Sequence, residues 1–392
     1  MAGPAGNPDH RSCPAEPVGG PIGLYIHIPF CEAICHYCNF NRGLLDAGLK
    51  GQYLSALSRE IEAFRDASPV DSIFFGGGTP SVLAPEDVAH LVSRCRASFE
   101  VLADTEITVE VNPETALYER LLGYRSAGVN RLSIGVQSFR DEELRRLGRL
   151  HTAERAIAAV ETARRAGFVD LSVDLMAWLP EQTVSHWCET VDTVIDLAPE
   201  HVSVYMLELY PNAPLRDEMA RGGWALAPDD VAAEMYHTGF DRLEAAGYRQ
   251  YEISNVAKPG RRCRHNLKYW SDGAWVGFGC GAQSTRAGYR WTNLADRGEY
   301  VSCLFDGGSP VVGRHALSPD ERISEALFLG LRLTDGVDVT RIERRYNVEV
   351  WRRWGDELTR CVEAGLLHPE RSRLRLTRRG QLLASEVMQV FV

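Results

Sequence analysis

No stretch of the chain approaches the roughly 18 consecutive apolar residues that span a bilayer as a helix, which argues against a membrane-spanning segment. Residues 1–20 hold Gly, Pro and small polar residues but lack the apolar core of a secretion signal. They read as a disordered leader, and the expected compartment is the cytoplasm, with peripheral membrane association left open. Net positive charge is missing as well: 43 Lys and Arg stand against 53 Asp and Glu, a formal charge of -10. That balance removes any overall attraction to nucleic acid. No G-x-G-x-x-G follows the first β-rich run, which disfavours a dinucleotide-binding sheet.

What is present is a 392-residue chain, 45% hydrophobic, able to bury a substantial core in two or three structural units. It holds ten cysteines, which in a cytoplasmic chain point to thiols and metal ligands rather than a disulfide framework. Cys13, Cys95, Cys188, Cys303 and Cys361 stand alone and read as small buried hydrophobes. Cys31, Cys35 and Cys38 form the one tight cluster, and Cys263 and Cys280 flank a polar-aromatic segment.

Short β-rich runs at 23–28, 72–75, 106–111, 131–135, 170–175 and 201–207 alternate with helical periodicity at 49–67, 85–99, 115–127, 153–166 and 184–197. A sixth helix is predicted over 229–246. Such alternation is the mark of an α/β fold with parallel strands, here a partial or full (β/α) barrel over 21–255. Residues 258–284 break the pattern and read as a functional loop or cover within a connecting segment, 256–315. Helices return from Ser318, giving a small, mostly helical, winged-helix-like domain over 316–392.

In such a barrel the chemistry sits at the C-terminal ends of the strands. There the sequence places the cysteine loop, then Gly76-Gly77-Gly78-Thr79-Pro80, then Glu110 and Asn112, Gln137 and Ser138, and Asp174. The C-x3-C-x2-C spacing supplies three thiolates, enough for three irons of a cubane cluster, and leaves the fourth iron open to chelate an amino acid. Structural zinc is the competing reading, and would have to recruit His27 or His36 as a fourth ligand. The glycines let a ligand approach the main chain closely. Glu110 can accept from ribose hydroxyls.

Tyr25-Ile-His-Ile-Pro-Phe-Cys31-x3-Cys35-x2-Cys38, with Gly76-Gly-Gly-Thr-Pro and Gly135-Val-Gln-Ser-Phe, resembles the radical-SAM family of oxygen-independent coproporphyrinogen oxidases and their HemW-type relatives. The likeness extends through Tyr251-Glu-Ile-Ser-Asn and His265-Asn-Leu-Lys-Tyr-Trp270 to the C-terminal region. It implies a [4Fe–4S] cluster on Cys31, Cys35 and Cys38 that reductively cleaves S-adenosylmethionine (SAM), and so an electron donor. By motif, Gly77, Gly78 and Thr79 would meet the methionine moiety and Glu110 and Gln137 the adenosyl part. Tyr25, Arg149 and Asp174 would complete the pocket, with Phe40 near the adenine.

One branch of this family decarboxylates coproporphyrinogen; the other binds haem for delivery to acceptor haemoproteins. The decarboxylase pattern has a further cysteine two residues after the third and a longer N-terminal arm. Here Phe40 takes that cysteine's place and only thirty residues precede Cys31, so the haem-chaperone branch is expected and radical enzyme activity is left open. The H-N-x-x-Y-W motif implies haem, with His265 as the candidate iron ligand and Trp270 able to stack on the macrocycle. No C-x-x-C-H is present, so covalent haem attachment is not indicated. The chain departs from the family at Trp178 and Glu181, where glycines are common, and at Gln283, where histidine is. Those changes predict bulk near the adenosyl end of the pocket and the loss of a second haem ligand. A nucleic-acid reading of residues 341–380, with eleven Arg against six acids, ranks last because the charges are interspersed.

Overall fold

The computed structural model describes residues 20–392. The expected leader falls almost wholly on residues 1–19, outside the described residues. The six predicted runs are strands: β1 (Ile22–Ile28), β2 (Pro69–Gly77), β3 (Glu100–Val111), β4 (Arg131–Gln137), β5 (Leu171–Ala177) and β6 (His201–Met206). Each pairs in parallel with the next, in chain order. Parallel strands with helices on one side and packed side chains on the other are buried on both faces, which is why they read as continuous apolar runs. β3 begins six residues earlier than the sequence suggests, because its first half, around Glu100 and Asp104, is exposed and lacks that signature.

Between the strands lie α1 (Ala47–Ala63), α2 (Pro85–Ser98), α3 (Tyr118–Ser126), α4 (Asp141–Arg146), α5 (Ala153–Arg165) and α6 (Val184–Leu197). α7 (Pro214–Gly222) and α8 (Asp229–Ala245) follow β6. Their starts are set by side-chain caps: Asp46, Thr152 and Thr183 accept from the N–H groups of Leu49, Arg155 and His186. Leu24, Ile26 and Ile28 of β1 share one core with Leu57 and Ile61 of α1 and Leu91 of α2, all fully buried.

The expectation for 258–284 is corrected. After the short antiparallel strands β7 (Arg249–Glu252) and β8 (Asn255–Ala257) comes α9 (Arg264–Trp270) and then β9 (Trp275–Phe278). β9 pairs in parallel with β1, Gly23 opposite Trp275, so the segment belongs to the sheet itself. β10 (Gln283–Arg286), β11 (Tyr289–Asn293) and β12 (Val311–Ala316) extend it antiparallel, with α10 (Arg297–Phe305) inserted. Four-residue strands broken by glycine carry too little periodicity to register as strands. The full order is β12-β11-β10-β9-β1-β2-β3-β4-β5-β6-β8-β7, twelve strands with two unjoined edges. The barrel is therefore partial.

α1 fastens this extension to the barrel. Buried Glu60 accepts from Gly279 N (2.8 Å), Asn293 Nδ2 (2.6 Å) and Tyr300 Oη (2.5 Å), and Tyr53 Oη donates to His27 O (2.9 Å) while accepting from Cys280 N (3.0 Å).

The C-terminal region has a core of its own, with Leu327, Val350, Leu358 and Val387 at its centre. It comprises α11 (Pro319–Gly330), α12 (Val339–Tyr346), α13 (Val350–Glu363), α14 (Arg378–Leu382) and α15 (Ala384–Met388). A two-stranded antiparallel ladder joins Val337–Asp338 to Arg373–Leu374. A Ser318–Glu321 capping box starts α11. The unit is seated on the barrel by Arg332, whose Nη2 lies 3.0 Å from the fully buried Glu252 carboxylate. Three of its arginines pair with acids, Arg345 with Asp272, Arg353 with Asp320 and Arg378 with Asp241. No helix of the described residues is long and apolar enough to cross a membrane.

Burial pushes the Glu60 carboxyl up from 4.5 to about 7 against the pull of its three donors. The folded state thus holds a proton that the unfolded chain releases near pH 4.5, and this group's contribution to stability falls as pH rises from about 4.5 to 7. Urea titrations across that range should show the slope reduced in Glu60→Gln. Glu60→Ala, which strands three buried donors, should lose about 3 kcal/mol; a loss below about 0.5 kcal/mol would show that the network does not fasten the extension.

Candidate cofactor and ligand site

β1 runs through Pro29 and Phe30 into the cysteine loop, which folds back on itself: Gly43 N donates to Pro29 O (2.9 Å) and Leu45 N to Cys31 O (2.8 Å). The glycine run at the end of β2 lies directly against it. A Cβ on Gly78 would stand 2.9 Å from Cys31 Sγ and 2.9 Å from Phe30 O, and one on Gly77, at φ +119°, 2.6 Å from the His27 ring. No other residue type fits either position. Gly78 N donates to Ile28 O and Thr79 N to Phe30 O, both at 2.8 Å, while Gly77 N donates to Glu110 Oε2 at 3.2 Å. Those N–H groups are engaged within the protein, and what the glycines contribute is room.

Thr79 Oγ1 donates to Cys31 Sγ (3.5 Å), and Arg149 Nη1 donates to Cys35 Sγ (3.4 Å). Arg149 Nη2 also binds Gly135 O (2.6 Å) and Asn112 Oδ1 (3.3 Å), joining the cysteine loop to the ends of β3 and β4. Burial pushes the Cys31 and Cys38 thiols up, and the neighbouring cysteines add to it. His27 is spent on Tyr25 Oη (3.1 Å) and Asn41 O (2.8 Å), so neither of its nitrogens is available to a metal.

Tyr25, Gly76 and Glu110 meet: a Cβ on Gly76 would lie 2.9 Å from the Tyr25 ring and 3.2 Å from Glu110 Oε1. Burial, and then the charge of Asp174, push the Glu110 carboxyl up to about 8. Asp174 is itself raised by burial and takes both its oxygens to Ser133 Oγ, at 3.1 Å each. Gln137 ends β4 at φ +69°, beside a register shift, with its amide folded near Gly135. A non-glycine residue in that region marks strain held by its surroundings.

A cavity of about 540 Å³ opens beside these groups. Tyr25, Gly77 and Glu110 contribute from the strand ends, Tyr269, Trp270 and Trp275 from α9 and β9, and Phe328 and Leu329 from α11. Phe40, 63% exposed, lies on its rim with Asn41, and Gln283, Arg290 and Glu325 also line it. Trp275, Arg290, Glu325 and Phe328 were not legible as site residues, because distant segments bring them together and nothing in their spacing signals it. Gly78, Thr79, Gln137, Arg149 and Asp174 lie outside the lining, toward the cysteine loop and the inner strand ends.

His265 is not where the haem-ligand expectation requires. It is 1% exposed, with Nδ1 3.0 Å from Ser72 Oγ and Nε2 2.9 Å from Tyr269 Oη, and it does not line the cavity. Glu106 draws it inward by accepting from the Arg264 and His265 N–H groups at the start of α9 (3.0 and 3.2 Å). Burial lowers its ring to about 3, so it is neutral. The expected bulk at Trp178 and Glu181 is corrected too. Both adopt positive φ, 61° and 59°, but Trp178 Nε1 donates to Ala227 O (2.7 Å) and Glu181 Oε1 accepts from Ala225 N (2.7 Å). Neither side chain lines the cavity.

The radical SAM superfamily model matches residues 25–194 and the HemN C-terminal domain model residues 317–383. The heme chaperone HemW of Bacillus subtilis (strain 168) is 39% identical over 372 residues, 94% of this chain and 98% of that one. The heme chaperone HemW of Mycobacterium tuberculosis (strain ATCC 25618 / H37Rv) is 36% identical over 95% of each chain. Among solved structures, the coproporphyrinogen III oxidase HemN of Escherichia coli, a radical SAM enzyme, superposes with a TM-score of 0.84 at 26% identity, covering 95% of this chain and 90% of that one. Because it matches HemW proteins at 36–39% identity over nearly its whole length and shares the fold of the oxidase, the chain belongs to the HemW branch of the coproporphyrinogen oxidase-like radical-SAM family.

Proposed function

We propose that this protein is a cytoplasmic haem chaperone that carries a [4Fe–4S] cluster, binds SAM, and holds haem in the adjoining cavity for transfer to acceptor haemoproteins. The observation that carries it is that α9 of the H-N-x-x-Y-W motif delivers Tyr269 and Trp270 into the same cavity that Tyr25, Gly77 and Glu110 reach from the strand ends. A flat apolar macrocycle suits such aromatic walls.

Cys31, Cys35 and Cys38 would hold the cluster. Among the described residues no three His, Cys, Asp or Glu side chains are grouped to hold a single metal ion, whereas a cubane spreads its thiolates over three irons. Glycine at 78 keeps clear the space beside Cys31, and the Arg149 cation stands ready to balance a thiolate at Cys35. When bound, the cluster would supply one electron, taken from an external donor, to the sulfonium of SAM. Gly77, Gly78 and Thr79 are assigned to the methionine end, Glu110 and Gln137 to the adenosyl part, with Tyr25, Phe40, Arg149 and Asp174 around them.

For haem, Tyr269 replaces His265 as the proposed iron ligand. It lines the cavity; burial, and then Cys263 and Glu110, push its phenol well above the ordinary tyrosine value, so iron would have to displace its proton, after which the neutral His265 can donate to the oxygen from Nε2 while Ser72 donates to Nδ1. A coproporphyrinogen-oxidising reading is favoured by the likeness to the E. coli enzyme. Phe40, standing where that branch carries a further cysteine, argues against it. Anaerobic incubation with reductant, SAM and coproporphyrinogen III should yield no decarboxylated porphyrinogen; product formed in many turnovers would establish the oxidase instead.

Haem titration should give a Soret shift that Tyr269→Phe abolishes or weakens at least ~10-fold, with His265→Ala weakened less. An unchanged Tyr269→Phe spectrum would remove Tyr269 as ligand. For SAM, a ribose hydroxyl donates more strongly to the Glu110 carboxylate than to the neutral carboxyl, the form the free protein holds below about pH 8. Affinity measured by calorimetry should therefore rise with pH up to about 8 and then level off, with proton release, and Glu110→Gln should flatten the profile. A wild-type profile already flat from pH 6 would sink that assignment.

A further inference from the structure

Among the residues lining the cavity Arg290 is the one cation, since His27 is kept neutral by burial. Its guanidinium is already taken. Both carboxylate oxygens of Glu325 face it in a bidentate pair, Nη1 to Oε1 and Nη2 to Oε2, the latter at 2.7 Å. Two features make this pair unlike an ordinary surface bridge. First, Arg290 is aimed independently of Glu325: its Nε and Nη2 each donate to Thr285 Oγ1 at 3.2 Å, so the fork keeps its direction if the carboxylate leaves. Second, among the described residues Glu325 has no other hydrogen-bond or ion-pair partner, and it sits on α11 three and four residues before Phe328 and Leu329, on the same helix face. The carboxylate and the apolar side chains that line the cavity therefore move as one surface.

A planar guanidinium fork recognises a carboxylate by geometry, whichever molecule supplies it. Resting on the haem reading above, we propose that Glu325 is a resident stand-in for a ligand carboxylate, that a haem propionate displaces it from Arg290, and that loading thereby releases the α11 face from the sheet. The pair is partly buried, 28% and 21% exposed, so the exchange takes place where water screens it incompletely. The free protein keeps its cation satisfied, and a carboxylate-bearing macrocycle has one place to anchor.

The test compares haem with haem dimethyl ester, whose carboxylates are blocked, on cluster-reconstituted wild type, Glu325→Gln and Arg290→Gln by difference-spectrum titration, with thermal melts showing that each variant is folded. Glu325→Gln should tighten haem ~5- to 10-fold and Arg290→Gln should weaken it ~10-fold, both leaving the ester's affinity within about twofold. Equal shifts for haem and ester, or none for either, would overturn the carboxylate site while leaving haem binding intact. Failure of the wild type to bind either macrocycle would overturn the haem reading itself, and this site with it.

Discussion

The contact on which the rest depends is the one between the end of β2 and the cysteine loop. Cys31 Sγ occupies the place where a side chain on residue 78 would begin, and the His27 ring occupies the place of one on residue 77. Only with both side chains absent can Gly78 N and Thr79 N tie the run to Ile28 O and Phe30 O, and Thr79 reach the Cys31 sulfur. That contact fixes the first thiol against the strand ends. Arg149 then fixes the second from the far side by bridging Cys35 to Gly135 and Asn112. The loop is thus positioned by β1, β2, β3 and β4 together, although its own fifteen or so residues contain almost no regular structure.

The six parallel strands were legible because burial on both faces writes itself as unbroken apolar runs, and the candidate site because polar residues interrupt those runs at one end. The sheet's other half was not. β9 is four residues, Trp-Val-Gly-Phe, and its place beside β1 is decided by tertiary contacts, above all by Glu60 and Tyr53 reaching from α1 to Gly279 and Cys280. The motif likewise singled out His265 and Tyr269, but a segment read as a loop could not say that they share one turn of helix or which of them would face inward. The carboxylate of Glu106, 159 residues away, decides it by capping α9 and pulling His265 under Tyr269. Motif reading located the segment; the structure shows it as a helix, oriented by a long-range contact.

Trp178 and Glu181 show the same limit from the other side. A large and a charged residue at positions where the resemblance leads one to expect glycine suggest a filled pocket, yet both take the left-handed conformation and neither side chain lines the cavity, Trp178 packing against the core instead. Each non-glycine residue there costs on the order of 1 kcal/mol, and the hydrogen bonds to Ala227 and Ala225 offset it while pinning the segment between α7 and α8. The strain is compensated locally, and the cavity beside Glu110 stays open.

The most direct test of the central claim, three thiolates holding a cubane with one iron open to SAM, is electron paramagnetic resonance of anaerobically reconstituted, reduced protein with and without SAM, alongside iron and sulfide analysis. The expected result is about four irons and four sulfides per chain and a reduced-cluster signal that changes when SAM is added. Zinc in place of iron, absent labile sulfide, or a signal indifferent to SAM would contradict it.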